Sequence, residues 1–298
     1  MSIVFNNVSY TYMPKTAYEI TALKNVSFEI EHGEFVAIIG HTGSGKSTLI
    51  QHMNGLISPT SGDVFVDDVN INNKKGINKK QTKEIQLARR KVGMVFQYPE
   101  HQLFEETVYK DVAFGPRNIG IPEEEMDARV KRAINFVGLD YDEIKDRSPF
   151  SLSGGEMRRV AIAGVIAMRP PYVVLDEPSA GLDPKGRDEI FEKIIVFHKI
   201  TGATIILVSH NMEEVARMAN RVIVLNNGKI SIDGAIKDIF LYGQSMLLKA
   251  GVDVPPIMNL IEILRKRGLD VKPGAITPDE AAVDIVEALR RQDKWPKT

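Results

Sequence analysis

The run Gly40-His41-Thr42-Gly43-Ser44-Gly45-Lys46-Ser47 has the residue types and spacing of a polyphosphate cradle. Glycines there let backbone N–H groups wrap round phosphate oxygens, and the amino end of a following helix adds favourable partial charge. Lys46 is then in reach of the outer phosphates, and the Ser47 hydroxyl can ligand Mg2+. A second chemical position is Asp176-Glu177, directly after the apolar run Val173-Val174-Leu175. Ligands of parallel sheets bind beyond the carboxyl ends of strands, which is where these acids would stand. Asp176 is placed to hold Mg2+, directly or through water, and Glu177 to polarise an attacking water. Alone, an acid pair after a strand is usually a solvated loop start; the phosphate loop in the same chain gives it a task.

Loops of this kind need strands buried on both faces to carry them. Phe35-Val36-Ala37-Ile38-Ile39 is such a continuous apolar run, and it feeds the glycine-rich turn. Lys46–Asn54 follows as a helix with Leu49, Ile50 and Met53 on one face and Gly55 placed to end it. Similar apolar runs recur at Val92–Phe96, Tyr172–Leu175, Thr204–Ser209 and Arg221–Leu225, with helical patterns between most of them. The alternation predicts a largely parallel sheet with helices on its faces. Ile3–Tyr12, Ala22–Glu31 and Asp63–Val69 read as further strands around the first of these units. From about Glu105 to Ala167 the pattern is helical, which suggests an inserted subdomain. Asn226-Asn227-Gly228 reads as a hairpin turn. Beyond about Ile236 the chain is helical again, with Thr277-Pro278-Asp279-Glu280 as a helix start.

Composition sets the outer limits. The 298 residues are 43% hydrophobic, enough for one large domain or two modest ones. With 38 basic and 39 acidic residues the net charge is −1, so no overall field draws a polyanion and no nucleic-acid partner is expected. The absence of cysteine excludes disulfides, cysteine–zinc sites and thiol nucleophiles, and it fits a reducing compartment. No stretch approaches the ~20 apolar residues of a membrane-spanning helix. The opening Met1-Ser2-Ile3-Val4-Phe5-Asn6-Asn7 lacks the basic segment and apolar run of a secretory signal. A soluble, cytosolic chain is expected.

Ser151-Leu152-Ser153-Gly154-Gly155-Glu156, ahead of a helix expected from about Met157 to Met168, resembles the signature of the ATP-binding cassette (ABC) ATPases. The phosphate loop resembles that family's Walker A motif, Val173–Glu177 its Walker B motif, and Gln97, after Val95-Phe96, its Q-loop. Ser179-Ala180-Gly181-Leu182-Asp183 resembles its D-loop, and His210 after Leu207-Val208-Ser209 its switch histidine. Tyr12 stands where the family usually has an aromatic residue stacking on adenine.

The resemblance implies an α/β P-loop NTPase cassette over 1–235, with an N-terminal antiparallel β subdomain and a helical subdomain inserted at about 105–167. A C-terminal helical extension over 236–298, pairing subunits, would follow. It also implies ATP and Mg2+ as cofactors, and two cassettes packed head to tail with each nucleotide between one phosphate loop and the other subunit's signature. Tyr12, Gly40, His41, Thr42, Gly43, Ser44, Gly45, Lys46, Ser47 and Thr48 would hold this chain's nucleotide. Ser153, Gly154, Gly155 and Asp183 would serve the nucleotide of the sandwich, the first three as an anion site at a helix start aimed at the partner's γ-phosphate. Glu177, His210 and Gln97 would be catalytic, His210 holding the γ-phosphate; Ser47, Gln97 and Asp176 would hold the metal. Many members have glutamine where this chain has Glu156, and glutamate also occurs there. Retention of both Glu177 and His210 argues for a site competent in hydrolysis.

The stretch Phe96-Gln97-Tyr98-Pro99-Glu100-His101-Gln102-Leu103-Phe104, then Thr107-Val108 and Asp111-Val112-Ala113-Phe114-Gly115-Pro116, is similar to the energy-coupling factor (ECF) transporters and their cobalt and nickel relatives. Met157-Arg158-Arg159-Val160-Ala161-Ile162-Ala163-Gly164 and the insertion Met13–Glu19 resemble the second of their two ATPase subunits. That resemblance implies importing a vitamin or transition-metal ion from a peripheral position on the cytoplasmic face of the cell membrane. The partners would be a homologous ATPase, a transmembrane coupling protein and exchangeable substrate-binding membrane proteins. A groove near Gln97 would receive a coupling helix. The competing readings are a conventional importer ATPase, a soluble ABC ATPase acting on ribosomes or DNA, and a small-molecule kinase, which would not need the Ser153–Glu156 signature. Lys74, Lys75, Lys79, Lys80, Lys83, Arg89, Arg90 and Lys91 read as a solvated connector, with anionic lipid and then DNA contact as the other options. Arg158-Arg159 reads as a solvated face or a subunit contact.

Overall fold

A computed structural model describes residues 1–73 and 78–292, so Lys74 and Lys75 lie outside the described residues. The strands are β1 (Ser2–Tyr12), β2 (Ile20–Glu31), β3 (Phe35–Ile39), β4 (Ser61–Val66), β5 (Val69–Asn70), β6 (Val92–Val95), β7 (Tyr172–Asp176), β8 (Thr204–Val208), β9 (Arg221–Asn226) and β10 (Lys229–Ala235). They form two sheets. One is four-stranded and antiparallel in the order β2-β1-β4-β5; the other is six-stranded in the order β10-β9-β3-β8-β7-β6. In the larger sheet β9, β3, β8, β7 and β6 run parallel, and β10 closes one edge antiparallel through the Asn227-Gly228 turn.

The continuous apolar runs are explained by what covers each face. Phe35, Ala37 and Ile39 of β3 join Val173, Leu175, Ile205 and Leu207 in a core packed by helices. Val36 and Ile38 point the other way with Val174, Ile206 and Val208, into a core closed by Ile3, Phe5 and Ile30 of the antiparallel sheet. Alternate residues thus serve opposite cores, and neither face can be polar. The strand expected over Asp63–Val69 is instead split. Asp67 and Asp68 take left-handed φ of 48° and 66°, which turns β4 back into β5. Aspartate is among the few non-glycine residues that adopt that region readily, and the Asp67 carboxylate is held there by Lys91 (2.7 Å) and the Tyr172 hydroxyl.

The helices are α1 (Lys46–Met53), α2 (Lys79–Arg90), α3 (Val108–Asn118), α4 (Glu123–Phe136), α5 (Tyr141–Ile144), α6 (Gly154–Ala167), α7 (Pro184–Thr201), α8 (Met212–Met218), α9 (Ile236–Tyr242), α10 (Gln244–Lys249), α11 (Pro256–Lys266) and α12 (Pro278–Arg291). Helices α3, α4 and α6 pack on one another through Val112, Val130, Ile134 and Val160. Helix α6 starts at Gly154, not at Met157 as expected. Ser153 Oγ accepts from Glu156 N (3.3 Å) and Glu156 Oε2 accepts from Ser153 N (2.8 Å). This reciprocal box carries the helix through two glycines that by propensity would resist it.

Ile236, Ile239, Phe240 and Leu247 pack into the helix-side core of the large sheet, whereas Ile261, Leu269, Val271, Ala281 and Ala288 make a small core of their own between α11 and α12. Thr277 caps α12 by accepting from Glu280 N (3.3 Å). Among the described residues no helix is long and apolar enough to cross a membrane.

Candidate functional site

Parallel register brings the chemical residues to one edge. Ile38 lies beside Val208, Val208 beside Asp176 and Leu175 beside Val95, so β3, β8, β7 and β6 end level with one another. The residues that follow, Gly40, His210, Glu177 and Gln97, therefore leave the sheet at the same rim. A cavity of about 480 Å3 opens there, with Tyr12, Thr42, Gly43, Gly45, Lys46, Ser47, Thr48, Gln97, Asp176 and Glu177 in its wall. Gly40, His41 and Ser44 belong to the loop but not to the wall, and Ser44 is fully buried. Asn227 and Gly228 also line the cavity; the sequence marks them as a turn but not as part of the site.

The loop holds its shape through contacts that only glycine permits. A Cβ on Gly40 would stand 2.2 Å from Leu225 O, and one on Gly45 would stand 2.6 Å from Ala22 O. The hairpin turn fastens the loop from outside, with Gly228 N donating to Ser44 O (2.9 Å). Lys46 Nζ donates to Gly40 O (2.7 Å) and His41 O (3.0 Å). Burial lowers the Lys46 pKa, against the opposing pull of Glu177 and Asp176. The hydroxyls of Tyr12 and Thr48 are hydrogen-bonded at 3.0 Å, and the Tyr12 ring meets Tyr10 edge-on at 4.8 Å.

Asp176 is buried, and its pKa is pushed up to about 6, first by that burial and then by the neighbouring Glu177 charge; Lys46 and a hydrogen bond from Ser47 oppose the shift. Two acids share this wall with Lys24 and with Lys46, whose ammonium is already bonded to carbonyls. A hydroxyl bonded to a buried carboxylate, beside a second acid, is a donor set that fits Mg2+, which takes few protein ligands and fills its shell with phosphate and water. Glu177 sits at a left-handed φ of 51°, its N–H donating to Val208 O (2.9 Å). His210 Nδ1 is 2.6 Å from Glu177 Oε2, so in this state the two residues hold each other.

Other predicted residues lie elsewhere. Ser153, Gly154, Gly155 and Asp183 do not line the cavity. Asp183 caps α7, accepting from Gly186 N (2.8 Å). Among the described residues a Cβ on Gly154 would meet nothing within 4 Å, whereas one on Gly155 would lie 3.8 Å from Leu182. Arg158 corrects an expectation: it is 4% exposed and not a solvated face. Its guanidinium donates to Ala180 O and Gln97 O and pairs with Glu100. Arg159 pairs with Glu189 (3.1 Å). Glu214, also buried, went unnoticed in the sequence; a charge on an amphipathic helix gives no local sign of burial.

Two stacked sheets, a phosphate loop after the central strand and a helical layer ending in a serine–glycine helix start define an ABC ATPase cassette. The ABC transporter family model matches residues 23–180. The chain is 54% identical to the energy-coupling factor transporter ATP-binding protein EcfA2 of Clostridium perfringens, over 98% of this chain and 100% of that protein. It is 50% identical to the EcfA2 of Clostridium tetani, over 98% and 99%. Among solved structures, cbiO1 of Clostridium perfringens, part of the ABC transporter complex cbiONQ, superposes with a TM-score of 0.70 at 36% identity, covering 87% of this chain and 98% of that one. A dimeric post-hydrolysis state of the cassette MJ0796 bound to ADP and Pi gives 0.69 at 30% identity, covering 78% and 98%. The chain belongs to the ABC transporter family and, within it, to the energy-coupling factor transporter ATP-binding proteins of the EcfA2 type. It is an ATPase whose hydrolysis is coupled to transport.

Proposed function

We propose that this chain is one of two ATPase subunits of an ECF-type importer, driving uptake of a vitamin or a transition-metal ion. Its partners are a homologous ATPase, a transmembrane coupling protein and exchangeable membrane proteins that bind the substrate. The chain sits peripherally on the cytoplasmic face of the cell membrane. The observation that carries this reading is the rim where β3, β6, β7 and β8 end level, in a chain whose relatives over nearly their full length carry the ECF name. Residues 1–235 are the cassette, with the helical subdomain inserted at about 105–167. Residues 236–298 are an extension that pairs subunits, and the small core around Ile261 supports a separate function for its end.

In the cavity, Tyr12 packs on the adenine and the loop from Gly40 to Thr48 takes the phosphates, with Lys46 moving from its carbonyls to the outer phosphate oxygens. Ser47, Asp176 and Gln97 would hold Mg2+, which when bound would neutralise charge developing on the phosphates. Glu177 orients and deprotonates the attacking water, and His210 supports the γ-phosphate. His210 pairs with one of the two Glu177 carboxylate oxygens, so movement of His210 to the γ-phosphate releases that oxygen as well for the water proton. Ser153, Gly154 and Gly155 cover the γ-phosphate held by the partner subunit, beside Asp183 of the D-loop. Tyr98, which follows Gln97, is exposed, as are Phe104 and Phe114, whose rings meet edge-to-face at 4.8 Å; exposed aromatic surface of this kind suits a helix of the coupling protein.

A pull-down of the tagged chain from membrane extract, read by mass spectrometry, tests the assembly. The expected catch is a second, homologous ATPase with a small set of integral membrane proteins, whose identities name the substrate. A homodimer on a conventional permease pair, or ribosomes or DNA, would overturn the ECF assignment.

A further inference from the structure

The loop between β7 and α7 is held from two sides by buried charges of opposite sign. Arg158, on α6, donates to Ala180 O; the same guanidinium reaches Gln97 O (3.4 Å) and the Glu100 carboxylate (3.4 Å). Glu214, on α8, accepts from Ser179 Oγ (2.8 Å), from Ser209 Oγ (2.8 Å) and from Asn211 Nδ2 (3.3 Å). Adjacent residues of one loop, Ser179 and Ala180, are therefore bonded to two different parts of the site. One anchor leads to the loop that carries Gln97, the other to the strand end that carries His210. Neither ion reaches water freely, since Arg158 is 4% and Glu214 6% exposed.

A buried charge that loses its partner is far more costly than one that moves with it. Displacement of the Gln97 loop must therefore draw Arg158 along, and Arg158 draws Ala180. Displacement of His210 reaches Ser179 in the same way, through Ser209 and Glu214.

We infer that Arg158 and Glu214 are positioning residues that clamp the Ser179-Ala180 loop, so that movement of the Gln97 loop and of the His210 strand end reaches that loop together. This rests on the reading that Gln97 meets the membrane partner and that the Ser179–Asp183 loop faces the second ATPase. Neither clamp residue lines the nucleotide cavity, so both act on turnover without touching nucleotide.

The test uses the complete transporter complex with Arg158→Met, Arg158→Lys and Glu214→Gln. The expected result for Arg158→Met is a fall in kcat of at least about tenfold, as misplacement of catalytic loops produces, with KM for ATP and fluorescent-nucleotide binding to the chain within about twofold of wild type. Arg158→Lys keeps the charge without the fork and should recover part of kcat. Glu214→Gln should show the same split between kcat and KM. Wild-type kcat in Arg158→Met would overturn the clamp, and so would nucleotide affinity falling in step with kcat. If Arg158→Met does not assemble, Arg158→Lys decides: kcat reduced at unchanged KM upholds the clamp, and wild-type kcat removes it. Glu177→Gln, run alongside, separates the two claims. If it hydrolyses normally, the catalytic reading fails; if it is inactive while Arg158→Met is normal, only the clamp fails.

Discussion

The phosphate loop and the amino end of α6 are both helix starts suited to anions, yet the chain treats them differently. The loop is enclosed by its own fold. Lys46 bonds to Gly40 O and His41 O, Gly228 fastens Ser44, and glycines are required where Leu225 O and Ala22 O press close. At α6 the Ser153–Glu156 box completes the helix end internally, and a Cβ on Gly154 would meet none of the described residues within 4 Å. Glycine at 40 and 45 is required by contacts within this chain; at 154 no contact with the described residues requires it. On the proposed reading, one face is this chain's own binding site and the other is half of a site completed by the partner ATPase.

Filling the open face should break this contrast most visibly. Gly154→Asp in the assembled transporter should lower turnover by roughly 10²-fold or more at the site it serves, comparable to removing a transition-state donor. ATP binding to the isolated chain, followed by fluorescence titration, should be unchanged. Lys46→Gln should do the reverse in the isolated chain. Losing a charge-assisted hydrogen bond of about 1.5–3 kcal/mol weakens ATP binding roughly ten- to a hundredfold, read in the same titration.

The enclosed face also has a pH signature. Asp176 has a pKa raised from 3.8 to about 6, so its protonated form is favoured in the fold. Its contribution is fully present below the ordinary value and is lost as pH rises through about 6. Metal-free protein should lose up to about 3 kcal/mol from this group between about pH 4 and pH 7, and Asp176→Asn should remove that part of the slope. Urea unfolding in chelator, at several pH values, measures it. The smallest effect sharpens the other half of the comparison. Ser153→Ala should lower the stability of the isolated chain by about 1 kcal/mol, the usual value of a helix cap, in the same unfolding assay.

What could be read without coordinates follows the same division. The buried strands were legible because residues such as Val36 and Ala37 serve opposite cores, which forces an unbroken apolar run. The glycine-rich loop and the acids after β7 were legible because their chemistry is local. The β4–β5 turn was hidden because Asp67 and Asp68 look like strand-end polar residues until their backbone turns left-handed. The early start of α6 was hidden because a double glycine argues against helix more loudly than a capping box argues for it. Arg158 and Glu214 were hidden for a different reason. Each is a charge on a helix, and only the loops folded over them make them interior.

The most direct test of the account is Glu177→Gln in the assembled transporter, with the partner ATPase's equivalent glutamate already replaced so that only this chain's site is read. The account predicts ATP binding at wild-type affinity and hydrolysis reduced by roughly 10²–10⁴-fold, the range expected when a positioned base is lost. Hydrolysis at the rate of the complex with an intact Glu177 would contradict it.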